Sequence, residues 1–204
     1  MNKIKLIAAM AVIALIFLVV TRESKSNLSY IELKRDATIL AFGDSITYGY
    51  GVMQKESYPS QLQKKTGLHV INAGISGEES SEGLQRLPSL LMDKPDLVIL
   101  CHGGNDILRK RSEDELKSNL IAMINLIKES GAKVLLVGVP NFGMLGVKTH
   151  PLYSEVANET EVFFEEDVLS FVEADNRLKI DYIHPNRQGY EIMTDAFIKH
   201  LKLI

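Results

Sequence analysis

The sequence contains no tryptophan and only one cysteine, Cys101, in 204 residues. A single cysteine excludes a disulfide within the chain. Cys101 follows the apolar run LVIL, where a cysteine is most often a small buried side chain, and nothing marks it as a catalytic thiol. The length suits one domain with a substantial hydrophobic core and is short for two.

The chain also lacks a concentration of charge of one sign. Its 23 lysines and arginines nearly balance 26 aspartates and glutamates, for a net charge of -3, and the basic residues are scattered. This pattern argues against nucleic acid as a partner. No two of the 5 histidines have the spacing of zinc ligands, so we expect no metal and no other cofactor.

One long hydrophobic run is present, at the N-terminus. Lys3 and Lys5 precede an apolar run from Leu6 to Val20, a pattern typical of an export signal. A helix of that length spans about 22 Å, against about 30 Å for the hydrocarbon core of a bilayer, which favours a signal peptide over a full span. No Ala-x-Ala cleavage site follows, and only Ser24 and Ser26 are small residues at suitable spacing. A cleaved signal and an uncleaved membrane tether through residues 6–20 therefore both remain open.

The chain divides accordingly into three parts. We expect a signal peptide or membrane anchor in residues 1–26, a polar linker in residues 27–36 and one domain in residues 37–204. The domain is then exported, either to the periplasm or extracellular space or to the outer face of the cytoplasmic membrane.

Five short apolar runs after the linker predict strands. They are largely β-branched or aromatic, which is typical of parallel strands covered on both faces. Helical segments lie between them, such as Glu113–Ser130, with Ser112 as its cap, and a last helix over about Arg187–Leu201. This alternation predicts a three-layer α/β/α sandwich, in which ligands bind at the carboxyl ends of the strands. The runs are TILAF (38–42), LHVIN (68–72), DLVIL (96–100), KVLLVGV (133–139) and VFF (162–164).

Three of the predicted strands end in residues that suit acyl-transfer chemistry. Ser45 follows the first strand in FGDSITYG, where a helix N-terminus would leave its backbone N–H free, although a serine there also serves as a simple N-cap. Gly74 in NAGISG and Asn105 in CHGGND are candidate donors to an oxyanion, and both are also common turn residues. His102 is a weaker candidate base than a second histidine near the C-terminus.

That second histidine lies in the stretch DYIHPN. Asp181 and His184 are three residues apart, so the carboxylate can hold Nδ1–H of the imidazole and leave Nε2 to accept a serine proton. Pro185 keeps His184 out of helical geometry. Taken alone the pair could be a capping motif, but together with Ser45 it predicts a Ser-His-Asp triad.

The blocks GDSIT, GISG, GGND and DYIHPN resemble those of the SGNH (GDSL) hydrolase family. The segments YPSQLQ, GLQRLPSLL and KPDLVIL are similar to its thioesterase I / lysophospholipase L1 / arylesterase branch, and the likeness covers about residues 38–201. It implies a flavodoxin-like sandwich with a five-stranded parallel sheet. It also implies Ser45 as nucleophile, with Asp181 and His184 completing the triad, and an oxyanion hole formed by the N–H groups of Ser45 and Gly74 with the Asn105 side chain.

Two features depart from the family pattern or narrow its use. His102 stands before the double glycine where a non-ionisable residue is expected. The stretch VPNFGMLGVKTHP (139–151) is the longest predicted loop, and we expect it to overhang the site. Its apolar residues could line an acyl pocket or simply pack within the loop; these are Phe142, Met144, Leu145 and Val147.

The expected activity is hydrolysis of a small ester or thioester, lipid-derived or aromatic, through an acyl-enzyme on Ser45. One alternative is removal of O-acetyl groups from a cell-wall or extracellular polysaccharide, which predicts a polar open cleft. A second is a membrane-tethered binding protein with a silent site.

Overall fold

The computed structural model describes residues 30–143 and 146–204. The strands are β1 (Ile31–Leu33), β2 (Thr38–Gly43), β3 (His69–Gly74), β4 (Leu97–Cys101), β5 (Lys133–Val137), β6 (Pro140–Gly143), β7 (Gly146–Thr149), β8 (Phe163–Glu165) and β9 (Leu201–Leu203). The α-helices are α1 (Ser45–Tyr48), α2 (Tyr58–Thr66), α3 (Ser80–Leu91), α4 (Gly104–Leu108), α5 (Glu113–Glu129), α6 (Pro151–Thr160), α7 (Val168–Ala174) and α8 (Arg187–Lys199). Two short 3-10 helices cover Gln54–Glu56 and Asn176–Leu178.

The central sheet has five parallel strands in the order β3-β2-β4-β5-β8. Each of the five predicted apolar runs supplies one of these strands, so the predicted sheet is confirmed. At its carboxyl edge Gly43 pairs with Gly74 on one side and with Cys101 on the other. Every residue of β4 is buried, as expected for a central strand with helices on both faces.

Two groups of helices form the outer layers. Helices α3, α5 and α6 pack side by side, and α2, α8 and α7 do the same. Helix α5 illustrates why they form: the Ser112 hydroxyl accepts the Glu115 N–H at its start, and Gly131 follows its end with a φ of 90°. The buried residues of this helix recur at helical spacing; they are Leu116, Leu120, Met123, Ile124 and Ile127.

The ends of the domain differ from the prediction. The last helix stops at Lys199, and Leu201 begins β9, which pairs in parallel with β1. Strand β1 lies inside the predicted linker of residues 27–36, with Ile31 and Leu33 buried. A three-residue strand carries too short an alternation to be recognised without its partner, which here comes from the other end of the chain.

The predicted loop of residues 139–151 is largely a β-hairpin. Strands β6 and β7 pair antiparallel, and His150 caps helix α6, which begins at Pro151. The preceding strand β5 ends at Val137, two residues earlier than predicted. The glycines and prolines that suggested an open loop in fact terminate short regular elements.

Some predictions fall outside the described residues. These include the export segment of residues 1–26 and the side chains of Met144 and Leu145. Within residues 30–143 and 146–204, no helix combines the length and apolar character that crossing a bilayer requires.

Candidate active site

Ser45 lies at the carboxyl edge of the sheet, where β2 turns into α1. The Asp44 carboxylate caps this short helix by accepting the Ile46 N–H at 3.0 Å, and Ser45 is the first helical residue. The turn passes so close to β4 that a Cβ at Gly43 would collide with the Cys101 carbonyl oxygen. Ser45 is 9% exposed, so its hydroxyl is reached only through the site itself.

The structure brings the three predicted triad side chains together. The Ser45 Oγ lies 3.0 Å from His184 Nε2, and Asp181 Oδ2 lies 2.7 Å from His184 Nδ1. The other oxygen of Asp181 accepts the backbone N–H groups of Ile183 at 2.9 Å and His184 at 2.8 Å. This arrangement favours the tautomer with a proton on Nδ1 and leaves Nε2 as the acceptor for Ser45.

The environment keeps Asp181 ionised. Burial would raise the pKa of Asp181, but the N–H groups of His184 and Ile183, together with the imidazole, outweigh burial and hold the pKa below its usual range. The His184 ring also stacks against Tyr50, with ring centroids 4.4 Å apart. The imidazole is therefore held from two sides.

The predicted oxyanion donor Asn105 lies beside Ser45. It belongs to α4, and its Nδ2 donates to the backbone carbonyl of Glu78 at 3.0 Å and, more weakly, to Asp44 Oδ2 at 3.4 Å. Asn105 and Ser45 line the same cavity. The longer of the two bonds is the one that a substrate oxygen could replace at little cost.

The predicted donor Gly74 has another role. Its N–H donates to Asn72 Oδ1 at 3.0 Å, and a Cβ at this position would collide with the backbone of α1 at Tyr48. Close packing therefore explains this glycine. Gly77, at a φ of 82° in the turn Ile75–Glu78, has an N–H with no hydrogen-bond partner in the described part of the chain. Gly77 is the second glycine of the block GISG, and only the first, Gly74, was predicted as a donor.

The unexpected His102 belongs to a fully paired network. It is buried, its Nδ1 accepts the Gly103 N–H at 3.0 Å, and its Nε2 donates to Glu78 at 3.0 Å. Arg86 also pairs with Glu78 and donates to the Ala73 carbonyl at 2.8 Å. Burial raises the pKa of Glu78, but the hydrogen bonds from His102 and Arg86 hold it below its usual range. His102 thus fixes the turn whose Glu78 carbonyl positions Asn105.

A small cavity of about 30 Å³ opens beside Ser45. Its polar wall residues are Asp44, Asn105 and Glu173. Burial raises the pKa of the neighbouring Cys101 thiol, which agrees with its interpretation as a packing residue. The apolar wall residues, with Cys101, are Ile46, Leu108, Val139, Leu169 and Ile183.

Of the four predicted acyl-pocket residues, Val147 alone has a described side chain. Val147 lies half-buried in β7 and is not among the lining residues. Phe142 has its backbone in β6, and its side chain, like Met144 and Leu145, lies outside the described set. Ile183 lies in the loop before α8, and the other residues that line the cavity come from five separate elements or their ends, which sequence spacing does not reveal.

Large exposed apolar side chains occur in the chain segments that carry the site residues. Tyr50 stacks on His184, Tyr182 lies between Asp181 and His184 in the chain, and Leu108 lines the cavity. We call this set the apolar rim. It comprises Tyr48, Tyr50, Ile75, Leu108 and Tyr182, all of them among the exposed large hydrophobic residues.

A serine hydroxyl bonded to a histidine, itself bonded to a carboxylate, at the carboxyl edge of a parallel sheet defines a serine hydrolase of the α/β/α sandwich class. Comparison with known proteins agrees with this class and makes it specific. Residues 41–192 match the model of the GDSL-like lipase/acylhydrolase family. The chain belongs to this family.

Individual relatives carry related activities in their names. The chain is 35% identical to an arylesterase of Vibrio mimicus over 181 residues, 80% of this chain and 89% of the relative. It is 31% identical to thioesterase 1/protease 1/lysophospholipase L1 of Escherichia coli over 173 residues, 81% and 83% of the two chains. The crystal structure of the esterase EstA from Pseudoalteromonas matches with a TM-score of 0.73 and 26% identity, covering 81% and 96%. The protein is a carboxylic ester hydrolase, as the sequence predicted.

Proposed function

We propose that the protein is an exported serine esterase that hydrolyses carboxylic ester or thioester bonds through an acyl-enzyme on Ser45. The observation that carries the proposal is the continuous hydrogen-bonded chain from Ser45 through His184 to Asp181. The names of the relatives, an arylesterase and a thioesterase/lysophospholipase, support the same bond type.

The reaction runs in two halves. His184 Nε2 accepts the Ser45 proton as Oγ attacks the carbonyl carbon, and the resulting imidazolium is stabilised by Asp181. His184 then gives this proton to the leaving alcohol or thiol, which departs and leaves the acyl group on Ser45. Water, deprotonated by His184, attacks the acyl-enzyme and releases the acid.

The oxyanion needs donors that point at one place. The Ser45 N–H at the start of α1 and the Asn105 side chain meet this need, because both border the same cavity. For the third donor we favour the Gly77 N–H over that of Gly74, since the Gly74 N–H already has an acceptor in Asn72. The Asn105 amide is 3.0 Å from the carbonyl of Glu78, the residue next to Gly77.

From the shape of the site we infer a substrate with a small acyl part and an apolar leaving group. A cavity of about 30 Å³ has room for roughly two water-sized groups, which limits the acyl chain to a few carbons. The leaving group lies on the side of His184, because His184 delivers its proton. There Tyr50 and Tyr182 present exposed rings, and Tyr182 is 91% exposed. Esters of aromatic alcohols fit this arrangement.

An O-acetyl esterase acting on polysaccharide is the second candidate. The small cavity favours it, because an acetyl group fits such a volume. The apolar rim argues against it, since a sugar ring would place hydroxyl groups against Tyr50 and Tyr182.

Hydrolysis assays on the full-length protein test these proposals. Phenyl acetate should be cleaved with a higher kcat/KM than p-nitrophenyl palmitate, ethyl acetate or acetylated xylan, and Ser45→Ala should be inactive on each. Best activity on acetylated xylan would support the second candidate. Binding of phenyl acetate without any hydrolysis would support a binding protein with a silent site.

Export is tested by a separate measurement. Masses of the N-terminal peptide from membrane and soluble fractions should show either an intact anchor through residues 6–20 or cleavage near Ser26. Detection of the whole chain in the cytoplasm alone would contradict the proposal.

A further inference from the structure

Glu173 is a buried carboxyl in the wall of the cavity that also contains Ser45. It lies on α7, its residue is 3% exposed, and its Oε2 has no hydrogen-bond partner within the described residues. The Tyr190 hydroxyl is the other buried side-chain oxygen of which this holds in residues 30–143 and 146–204. Of the two, only Glu173 lines the cavity.

Among the described residues, no cationic side chain forms a hydrogen bond with the Glu173 carboxyl. The Lys179 ammonium donates to the backbone carbonyls of Glu173 and Tyr182, and no hydrogen bond joins it to the Glu173 carboxyl. Burial raises the pKa of Glu173 to about 9; Lys179 lowers it only in part, and the carboxyls of Asp44 and Asp181 raise it further. At neutral pH Glu173 is therefore a neutral acid, able both to donate and to accept a hydrogen bond.

The fold itself makes no visible use of this group. An unpaired buried polar oxygen lowers stability by about 1–3 kcal/mol, and a leucine would fill the same space without that cost. The other wall residues near Glu173 are apolar, including Val139, Leu169 and Ile183. A polar group next to apolar wall residues is how binding sites select one group on a ligand.

We propose that Glu173 is a specificity-determining residue that hydrogen-bonds a hydroxyl on the short acyl group of the substrate. The proposal rests on the proposed esterase function and names its acyl class: three- or four-carbon hydroxyacyl esters. A hydroxyl donates and accepts one hydrogen bond each, as the Glu173 acid does.

The test compares p-nitrophenyl 3-hydroxybutyrate with p-nitrophenyl butyrate on the full-length protein. One hydrogen bond to a buried partner corresponds to about 5–10-fold in kcat/KM, so the wild type should prefer the hydroxy ester by about that factor. Glu173→Leu should abolish or reverse the preference, and Glu173→Gln should retain part of it. A residue with a merely structural role would change both esters equally and leave their ratio unchanged.

Controls separate the possible failures. Glu155→Gln alters an exposed glutamate on α6 that pairs with Lys117 and does not line the cavity, and it should leave the ratio at the wild-type value. Equal cleavage of the two esters by the wild type overturns the role of Glu173 while leaving the esterase intact, and this comparison needs no variant to fold. Preference for p-nitrophenyl 3-aminobutyrate that disappears in Glu173→Leu would also overturn it, in favour of a cation site. Activity on any ester that survives Ser45→Ala would instead overturn the proposed function.

Discussion

Two glutamates beside the active site are buried to nearly the same degree and are treated in opposite ways. Glu78 is 6% exposed and pairs with Arg86 and His102, so its pKa is held below the usual range despite burial. Glu173 is 3% exposed, has an oxygen with no partner in the described residues, and has its pKa raised to about 9. Glu78 supports the turn that holds Asn105, whereas Glu173 lines the cavity at Ser45.

The difference distinguishes a buried carboxyl that the fold pairs from one that has an unpaired oxygen in the described residues. A carboxyl that the fold requires is surrounded by its partners, because an unpaired one lowers stability. A carboxyl left unpaired in the wall of a substrate cavity keeps its hydrogen-bonding capacity for a ligand. The same chain thus contains a paired and an unpaired buried carboxyl, and substitutions at or near each of them test the comparison.

The largest effect should come from a substitution of Ser45 in the cavity, and it should lower activity without lowering the melting temperature. Ser45→Ala removes the nucleophile, so kcat for phenyl acetate should fall by at least about 10³-fold. Because a hydroxyl is exchanged for hydrogen in a small side chain, the melting temperature should stay close to the wild-type value. Ser154→Ala, on helix α6, is the matched control and should alter neither quantity. A Ser45→Ala protein with residual activity above a tenth of wild type would refute the assigned nucleophile.

The next largest effect should follow from removing Arg86, the partner of Glu78, and should appear as a lower melting temperature. Arg86→Met leaves the Glu78 carboxylate buried without its guanidinium, which should cost about 3 kcal/mol and lower Tm by about 6–12 °C. Arg111→Met breaks an exposed pair with Glu79 and should change Tm little. Adding Glu78→Gln to Arg86→Met should restore part of the lost Tm. An unchanged Tm in Arg86→Met would show that the network does not support the fold.

The pH dependence of stability should differ in sign between the two glutamates. The folded-state pKa of Glu173 is raised, so its contribution to stability declines as the pH rises from about 4.5 towards about 9. Glu173→Gln should therefore raise Tm by at least several degrees at pH 8 and hardly at all at pH 5. The folded-state pKa of Glu78 is lowered, so its contribution is present above about 4.5 and is lost as the pH falls below that value.

Melting curves of the wild type, Glu173→Gln and Glu78→Gln from pH 4 to pH 9 measure this difference. Glu78→Gln should lose Tm at pH 7, and its deficit should shrink in acid. If Tm depended on pH in the same way in the two variants, the proposed difference between Glu78 and Glu173 would be wrong.

The smallest effect should arise at the apolar rim. Tyr182→Ser removes an exposed ring on the leaving-group side, so KM for phenyl acetate should rise about 2–3-fold while KM for ethyl acetate stays unchanged. Met92→Ser offers a control, because Met92 is also highly exposed but follows the end of α3, outside the rim. Equal changes on both esters would count against aromatic leaving groups.

Local patterns predicted most of the central fold. The five sheet strands and helix α5 are regular enough that burial and periodicity identify them within a few residues. Strands β1 and β9 escaped prediction because each has three residues and gains its stability from a partner about 170 positions away. The hairpin β6-β7 escaped because glycine and proline mark both loops and the ends of short strands.

Short motifs were sufficient to predict that Ser45, His184 and Asp181 lie together. Asp181 and His184 are three residues apart, so the chain itself holds the carboxylate near the imidazole, and the GDS turn after an apolar strand presents Ser45. Folding was needed for the rest. Ser45 and His184 meet across 139 residues, and Glu173 reaches the same cavity from α7 without any motif around it. Such contacts depend on the order and register of strands, which short-range spacing in the chain does not encode.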